Sequence, residues 1–213
     1  EARPEAPRET RAMRTAISRL ELLRPRTLAE ALDGMAAPDS ERPTPIAGGT
    51  DLFVYLNAGQ LSATRYLDLS RLRELRGIRV GPAAVTIGAT TTFAAIRGHE
   101  EIRRRLPSLA RAASEIGAWQ IQERATLGGN IANASPAGDS LPVLLAHDAL
   151  VHARSARGER TIPTDELFVS YRKLALDPDE LIVAVTVPWA PPRAFPFFRK
   201  VGTGRAQSIS KVV

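Results

Sequence analysis

Apolar positions recur along this chain in short blocks of two different periods. Leu28, Ala31, Leu32 and Met35 follow helical spacing. Thr27 stands just before them and Glu30 three residues later, the pattern of a capping box. Leu106, Leu109, Ala110, Ala113 and Ile116 predict a second helix, with Pro107 at its start, where a missing N–H is harmless, and Gly117 at its end. Thr90 to Ile96 opens a short helix and Leu141 to Ala146 forms another, while Leu52 to Leu56 is a regular apolar segment. Extended segments are predicted at Pro45–Ala47, Tyr66–Leu69, Ala84–Ala89, Ala149–Ala153 and Arg160–Pro163, with a turn at Arg157-Gly158 joining the last two. Glu180 to Val187 is a strongly β-branched strand closed by Pro188, and a proline-rich link (188–192) leads to Phe197–Val201. Residues 1–12 are polar, proline-bearing and aperiodic, so they are expected to be disordered, with Met13 as a candidate natural start. No internal repeat is present. The order of elements predicts a mixed α/β or α+β chain in two subdomains with a cleft between them.

Two glycine pairs interrupt this pattern. One lies in Ile46-Ala47-Gly48-Gly49-Thr50-Asp51-Leu52, the other in Thr126-Leu127-Gly128-Gly129-Asn130, continuing through Asn133 to Asp139. Paired glycines let a backbone turn with positive φ and press its N–H groups against a ligand. Such nests favour anions, phosphate above all. A pair of them suggests a ligand with two phosphates gripped from both sides. Each pair also has a plain reading as a turn.

Composition narrows the chemistry. The 213 residues are 44% hydrophobic, enough for a real core. No apolar run approaches the roughly 20 residues of a membrane span, and the N-terminus lacks the apolar region of a secretory signal. A cytoplasmic location is therefore expected. With no cysteine there is no thiolate nucleophile and no cysteine-held zinc or iron–sulfur cluster. His99, His147 and His152 share no metal spacing, so no metal site is expected. Helix surface is the reading for the first two and strand for the third. The net charge of +6 comes almost wholly from dispersed arginine, and aromatic residues do not interleave with it, which argues against nucleic acid. Arg103, Arg104 and Arg105 sit beside Glu100 and Glu101, as on a solvated helix end. Gly202-Thr203-Gly204 starts like a dinucleotide fingerprint, but Gln207 stands at its third glycine position, and no Walker A loop or Gly-x-Ser-x-Gly elbow occurs. Asn133-Ala134-Ser135 fits a glycosylation sequon, but Pro136 follows and there is no secretion signal.

Read together and in order, the two glycine segments resemble the FAD-binding domain of molybdenum hydroxylases, the family of xanthine dehydrogenase and aerobic carbon monoxide dehydrogenase. Ser170-Tyr171-Arg172-Lys173, Asp177-Pro178-Asp179-Glu180-Leu181-Ile182, Val185-Thr186-Val187-Pro188 and Phe198-Arg199-Lys200-Val201-Gly202 extend the resemblance from about Leu22 to the end. It implies an α+β, p-cresol-methylhydroxylase-type fold in which FAD lies in the cleft between two α/β subdomains. These are placed at 13–78 and 79–190, with 191–213 as the start of a truncated C-terminal domain that runs to roughly one hundred residues in relatives. Loss of that domain is expected to uncover apolar surface and lower solubility.

The resemblance also assigns residues. Ile46, Ala47, Gly48, Gly49, Thr50, Asp51 and Leu52 would wrap the pyrophosphate, Thr126, Gly128, Gly129 and Asn130 would close on the pyrophosphate or flavin from the other side, and Asn133 is a further cofactor-binding residue. Asp139 would accept a hydrogen bond from a sugar hydroxyl, though capping the helix near Leu141 is a second, compatible reading. Ile116 and Ile182 fall where relatives place apolar contacts with the cofactor rings, or are plain core. Lys200 falls where a side chain approaches FAD, or is a surface charge. No residue is assigned proton-transfer catalysis. The implied role is electron relay: a molybdenum-cofactor large subunit oxidises substrate, 2Fe-2S clusters on a small subunit pass electrons to FAD, and FAD reduces NAD⁺, oxygen or another acceptor. Molybdopterin and clusters are expected only on those partners. Two alternatives stand beside it: a free-standing flavin-dependent oxidoreductase of the same fold, and a flavin-free scaffold. The absence of a His or Cys flavin attachment site argues against the first, the intact glycine pairs against the second.

Overall fold

The computed structural model describes residues 20–60, 62–191, 193–194, 197–202 and 209–212. The segment expected to be disordered (1–12) and the candidate start at Met13 lie outside them.

The first half builds a small parallel sheet. Strands β1 (Glu21–Leu23), β2 (Thr44–Ile46) and β3 (Arg65–Asp68) pair in the order β1-β3-β2. Parallel neighbours need crossover connections. Helices α1 (Leu28–Met35) and α2 (Thr50–Asn57) supply them. Thr27 caps α1 as its sequence predicts, accepting the Glu30 N–H at 3.2 Å. The reciprocal half of the box is displaced by one residue, because the Glu30 carboxylate accepts from Arg26 N–H at 2.7 Å and not from Thr27. Leu28, Ala31, Leu32 and Met35 pack with Leu67, Leu69, Leu72 and Leu75, and Leu181 joins them from the second half.

That second half is a five-stranded antiparallel sheet, ordered β4 (Ile78–Val80), β5 (Ala84–Gly88), β10 (Leu181–Pro188), β6 (Leu150–Ser155), β7 (Gly158–Pro163). Period-two alternation sends Val85, Ile87, Val151, Ala153, Val185 and Val187 into the core, all fully buried. They meet Phe93 and Ile96 of α3 (Phe93–Gly98), Leu109 of α5 (Pro107–Glu115), Leu127 and Ile131 of α7 (Leu127–Asn133) and Leu144 of α8 (Leu141–Ala146). The opposite face carries polar cross-strand pairs. Thr86 and Thr186 hydroxyls lie 3.1 Å apart, and His152 Nε2 is 2.8 Å from Thr186. The charged α4 (Glu100–Arg105) turns outward with Arg104 on Glu101 at 2.6 Å. The shorter α6 (Trp119–Gln122), α9 (Thr164–Leu167), the hairpin β8 (Phe168–Ser170) with β9 (Lys173–Leu174), and β11 (Val201–Gly202) with β12 (Ser210–Val212) complete the described chain.

A seam of backbone and threonine bonds joins the two sheets. Thr90 N–H and hydroxyl both donate to Leu75 O, at 2.8 and 2.9 Å. Thr91 Oγ1 accepts from Gly77 N at 2.9 Å and donates to Gly77 O at 3.1 Å.

Phe93 is completely buried among these layers. Phe93→Ala is expected to cost about 3–5 kcal/mol in urea unfolding. A pH dependence follows from the histidines. His147, at the C-cap of α8 and bonded to Ser108 of α5 (3.1 Å), has its pKa lowered chiefly by burial, as does His152. The unfolded chain therefore binds protons first, near the ordinary value of 6.5, so their contribution is complete above that pH and is lost as pH falls below it. Melting temperature should drop between pH 7 and 5.5, and His147→Gln should flatten that limb.

Candidate cofactor site

The first glycine segment leaves β2 and enters α2 through a sharp turn. Gly49 holds φ +76°, a left-handed conformation, at the N-cap of α2. Gly48 is pinned: a Cβ on it would collide with the Arg124 carbonyl oxygen. The first bond of the helix runs from Phe53 N–H to Gly49 O at 2.9 Å. Among the described residues no hydrogen bond takes up the N–H groups of Gly48, Gly49, Thr50, Asp51 or Leu52. Five consecutive unpaired donors at a helix start form a ready site for an anion. The flanking Ile46 and Ala47 are half-buried. Asp51 opens toward solvent; desolvation nonetheless pushes its carboxyl up, and the Arg172 charge opposes that shift.

The second segment departs from the expected open turn. Thr126 caps α7, accepting Gly129 N–H at 3.1 Å, and the glycines lie inside that helix. Leu127 N–H donates to Thr91 O (3.1 Å), Gly128 N–H to Ala89 O (2.8 Å) and Asn130 N–H to Thr126 O (2.9 Å). Its backbone donors are therefore spent inside the protein. The physical reason is packing: a Cβ at Gly128 would stand 2.7 Å from Ala89 Cβ, so glycine here serves close approach of helix to strand. What α7 retains for a ligand is side-chain chemistry. Asn130 Oδ1 accepts from Ser140 Oγ at 2.7 Å, and its amide N–H groups remain. Asn133 Oδ1 accepts from Arg172 at 3.1 Å and from Tyr55 at 3.3 Å.

A buried ion pair forms the third part. Asp139 and Lys200 meet at 2.6 Å with both side chains 7% exposed. Lys200 Nζ also donates to Glu115 O at 2.9 Å, and Ser210 Oγ donates to the other Asp139 oxygen. Lys200 is thus no surface lysine. The cap position of α8 belongs to Ser140, which makes no side-chain cap bond. Ile116, next to Glu115, and Ile182 in β10 are each 8% exposed and both belong to the larger core cluster. The contacts form one run: Asn130 to Ser140, Asp139 next in the chain, then Lys200 and Glu115 beside Ile116. The Gly48–Leu52 donors reach this run through the Gly48 contact with Arg124, two residues before Thr126.

Several participants were not singled out from sequence. Ser140 and Ser210 gave no signal. Arg172 lay in a quoted motif, yet its bridge to Tyr55 (2.5 Å) and Asn133 joins α2 to α7 across 117 and 39 residues. Among the described residues, no three His, Cys, Asp or Glu side chains converge as a metal site, and no helix is long and apolar enough to cross a membrane.

The ion pair generates a test. Asp139→Leu leaves the Lys200 ammonium buried without its carboxylate, and should cost about 3–5 kcal/mol in denaturant unfolding. The double change Asp139→Leu with Lys200→Met should recover most of that loss, as the paired partners vanish together.

Comparison with known proteins fits this geometry. The chain is 33% identical over 195 residues to the nicotinate dehydrogenase FAD-subunit of Eubacterium barkeri, covering 90% of this chain and 66% of that protein. It is 41% identical over 146 residues to the 6-hydroxypseudooxynicotine dehydrogenase complex subunit alpha of Paenarthrobacter nicotinovorans, covering 68% and 49% respectively. A solved structure of carbon monoxide dehydrogenase from Hydrogenophaga pseudoflava superposes with a TM-score of 0.83 at 28% identity, covering 90% of this chain and 66% of that one. The chain thus spans about half to two thirds of the length of these relatives. Residues 17–190 match the model of the FAD binding domain in molybdopterin dehydrogenase; the chain belongs to that family, and FAD is its cofactor.

Proposed function

We propose that this chain is the FAD-carrying electron-transfer component of a molybdenum-hydroxylase complex. Its partners in this reading are a molybdenum-cofactor large subunit and a small subunit with 2Fe-2S clusters, and the assembly works in the cytoplasm. When bound, FAD supplies a carrier between one-electron clusters and an acceptor such as NAD⁺ or oxygen. The observation that carries the reading is the row of N–H groups from Gly48 to Leu52, unpaired among the described residues, a donor set that suits a pyrophosphate. The relatives' printed names, an FAD-subunit and a subunit of a dehydrogenase complex, support the division of labour.

The chain's own residues have separate tasks in this proposal. The 13–78 and 79–190 subdomains, in the p-cresol-methylhydroxylase manner, hold FAD in the cleft between them. The α2 donors and Thr50 take the pyrophosphate, and Asn130 and Asn133 approach it with side chains in place of backbone. Asp139 accepts a hydroxyl of the cofactor, Lys200 keeps a buried positive charge beside it, and Ile116 and Ile182 exclude water from the ring. None of them moves a proton in a bond-breaking step. The protein's influence on the flavin is electrostatic and positional.

A visible spectrum of the purified chain, followed by release of any flavin, tests this directly. Stoichiometric, non-covalent FAD is expected. FMN, a covalent flavin, or a colourless chain that also refuses added FAD would overturn the assignment.

A further inference from the structure

Helix α2 carries the donors proposed for the pyrophosphate, yet little of it is buried. Of its eight residues only Leu56 is enclosed, while Phe53 and Val54 are exposed. A helix this short is marginal in water unless other elements hold it. Its start is held by the contact of Gly48 with the Arg124 carbonyl. Its last turn is held differently. Among the described residues, every side-chain hydrogen bond between α2 and another element runs through the Tyr55 hydroxyl. That hydroxyl lies 2.5 Å from Arg172 Nη1 and 3.3 Å from Asn133 Oδ1, and the same Nη1 donates to Asn133 at 3.1 Å. The guanidinium also stands over the Tyr55 ring, 5.5 Å from its centre.

Both anchors of this clamp are firm. α7, which ends in Asn133, buries Leu127 and Ile131 completely. The β8–β9 hairpin seats Phe168 and Leu174 against the larger core and closes with Ala175 N–H on Leu167 O at 2.8 Å. At its tip Arg172 holds φ +54°, a left-handed conformation uncommon outside glycine, and from there its side chain reaches α2. We infer that Arg172 is a positioning residue for cofactor capture: it fixes the last turn of α2 against α7, and so holds the Gly48–Leu52 donors in the arrangement that an anion meets. The inference rests on the proposed placement of the pyrophosphate on those donors. Arg172 acts in it through Tyr55, without touching the phosphates. The Gly48 contact is backbone on backbone, whereas this one is made of side chains around an exposed arginine and can open. An α2 released there frays and pivots about Gly48. Only the fraction of molecules with the helix seated then binds at full strength.

Hydrogen exchange of the flavin-free chain, paired with FAD titration, tests this. Arg172→Gly removes the clamp and suits the left-handed φ, so the hairpin keeps its turn. Amides of Phe53 to Ala58 should exchange about tenfold faster than in wild type, the scale of losing hydrogen bonds to a charged group, with the sheet amides unchanged. FAD should bind about tenfold more weakly, and saturating FAD should restore the protection of α2. Arg172→Lys, which keeps a cationic donor, should recover most of both effects. Tyr55→Phe leaves the Arg172 charge in place and removes its target; it should weaken FAD too, and add little when combined with Arg172→Gly. FAD binding untouched by Tyr55→Phe but weakened by Arg172→Gly would mean that the guanidinium meets the phosphates itself, and would overturn the positioning role. So would unchanged α2 exchange in Arg172→Gly, or faster exchange spread evenly over both sheets with a lowered melting temperature, the mark of a general stability residue. A wild-type chain that binds no FAD at all would overturn the pyrophosphate placement and the capture role with it, an outcome told apart from the others because it needs no variant.

Discussion

The contact between Gly48 and the Arg124 carbonyl is the constraint on which the site depends. No side chain fits between them, so the loop after β2 lies directly on the strand of chain that enters α7. That contact joins backbone to backbone, with no flexible side chain to absorb a shift. It fixes the α2 donors relative to Thr126, and through α7 relative to Asn130 and Asn133. The Thr90 and Thr91 bonds to Leu75 and Gly77 repeat the same design one layer away. Interiors packed this closely transmit displacement and do not cushion it. The two sheets are consequently held in fixed register at the proposed cofactor surface, although they share few large side chains beyond Leu181.

Seen this way, the two glycine pairs do unlike work. In the first pair Gly49 adopts a conformation few other residues tolerate, and the donors it exposes are left open. In the second, Gly128 buys proximity to Ala89, and the donors are consumed. Sequence reading treats both as nests because a local rule sees only two adjacent glycines. The signal for a helix was present in Thr126 as a cap and in Leu127 and Ile131 at i, i+4 spacing, both fully buried. Helix periodicity elsewhere was plain, as in α1 and α5, where apolar residues span two turns or more. Periodicity fails for α6, α9 and the three-residue strands β1, β4 and β8, which are shorter than any period they might show.

Sheet order was beyond local inference for a different reason. β10 sits between β5 and β6, so Thr86 bonds Thr186 across 100 residues, and nothing near either threonine announces the other. The candidate site was more legible than the topology because its residues cluster in two short segments. What escaped was the long-range closure: Ser210 on Asp139, and Arg172 reaching Tyr55 and Asn133. Lys200 shows how composition misleads. Lysine is usually a solvated charge, yet here the fold encloses it against Asp139 and the end of α5.

That enclosure carries its own argument. A buried ion pair is a weak source of stability, since desolvating two charges offsets most of their attraction. Its hydrogen-bond accounting is more informative. The Lys200 ammonium has three donors, and the described residues use two of them, on Glu115 O and Asp139. The Asp139 carboxylate offers about four acceptor positions and receives two bonds, from Lys200 and Ser210. Each partner is held firmly by the protein and, among the described residues, each keeps unused capacity while nearly sealed from water. A pair that served only the fold would be better replaced by apolar residues of similar volume. A spare donor beside spare acceptors among the described residues, at the end of the Asn130–Ser140 run, is the chemistry that the proposed cofactor role of this pair calls for.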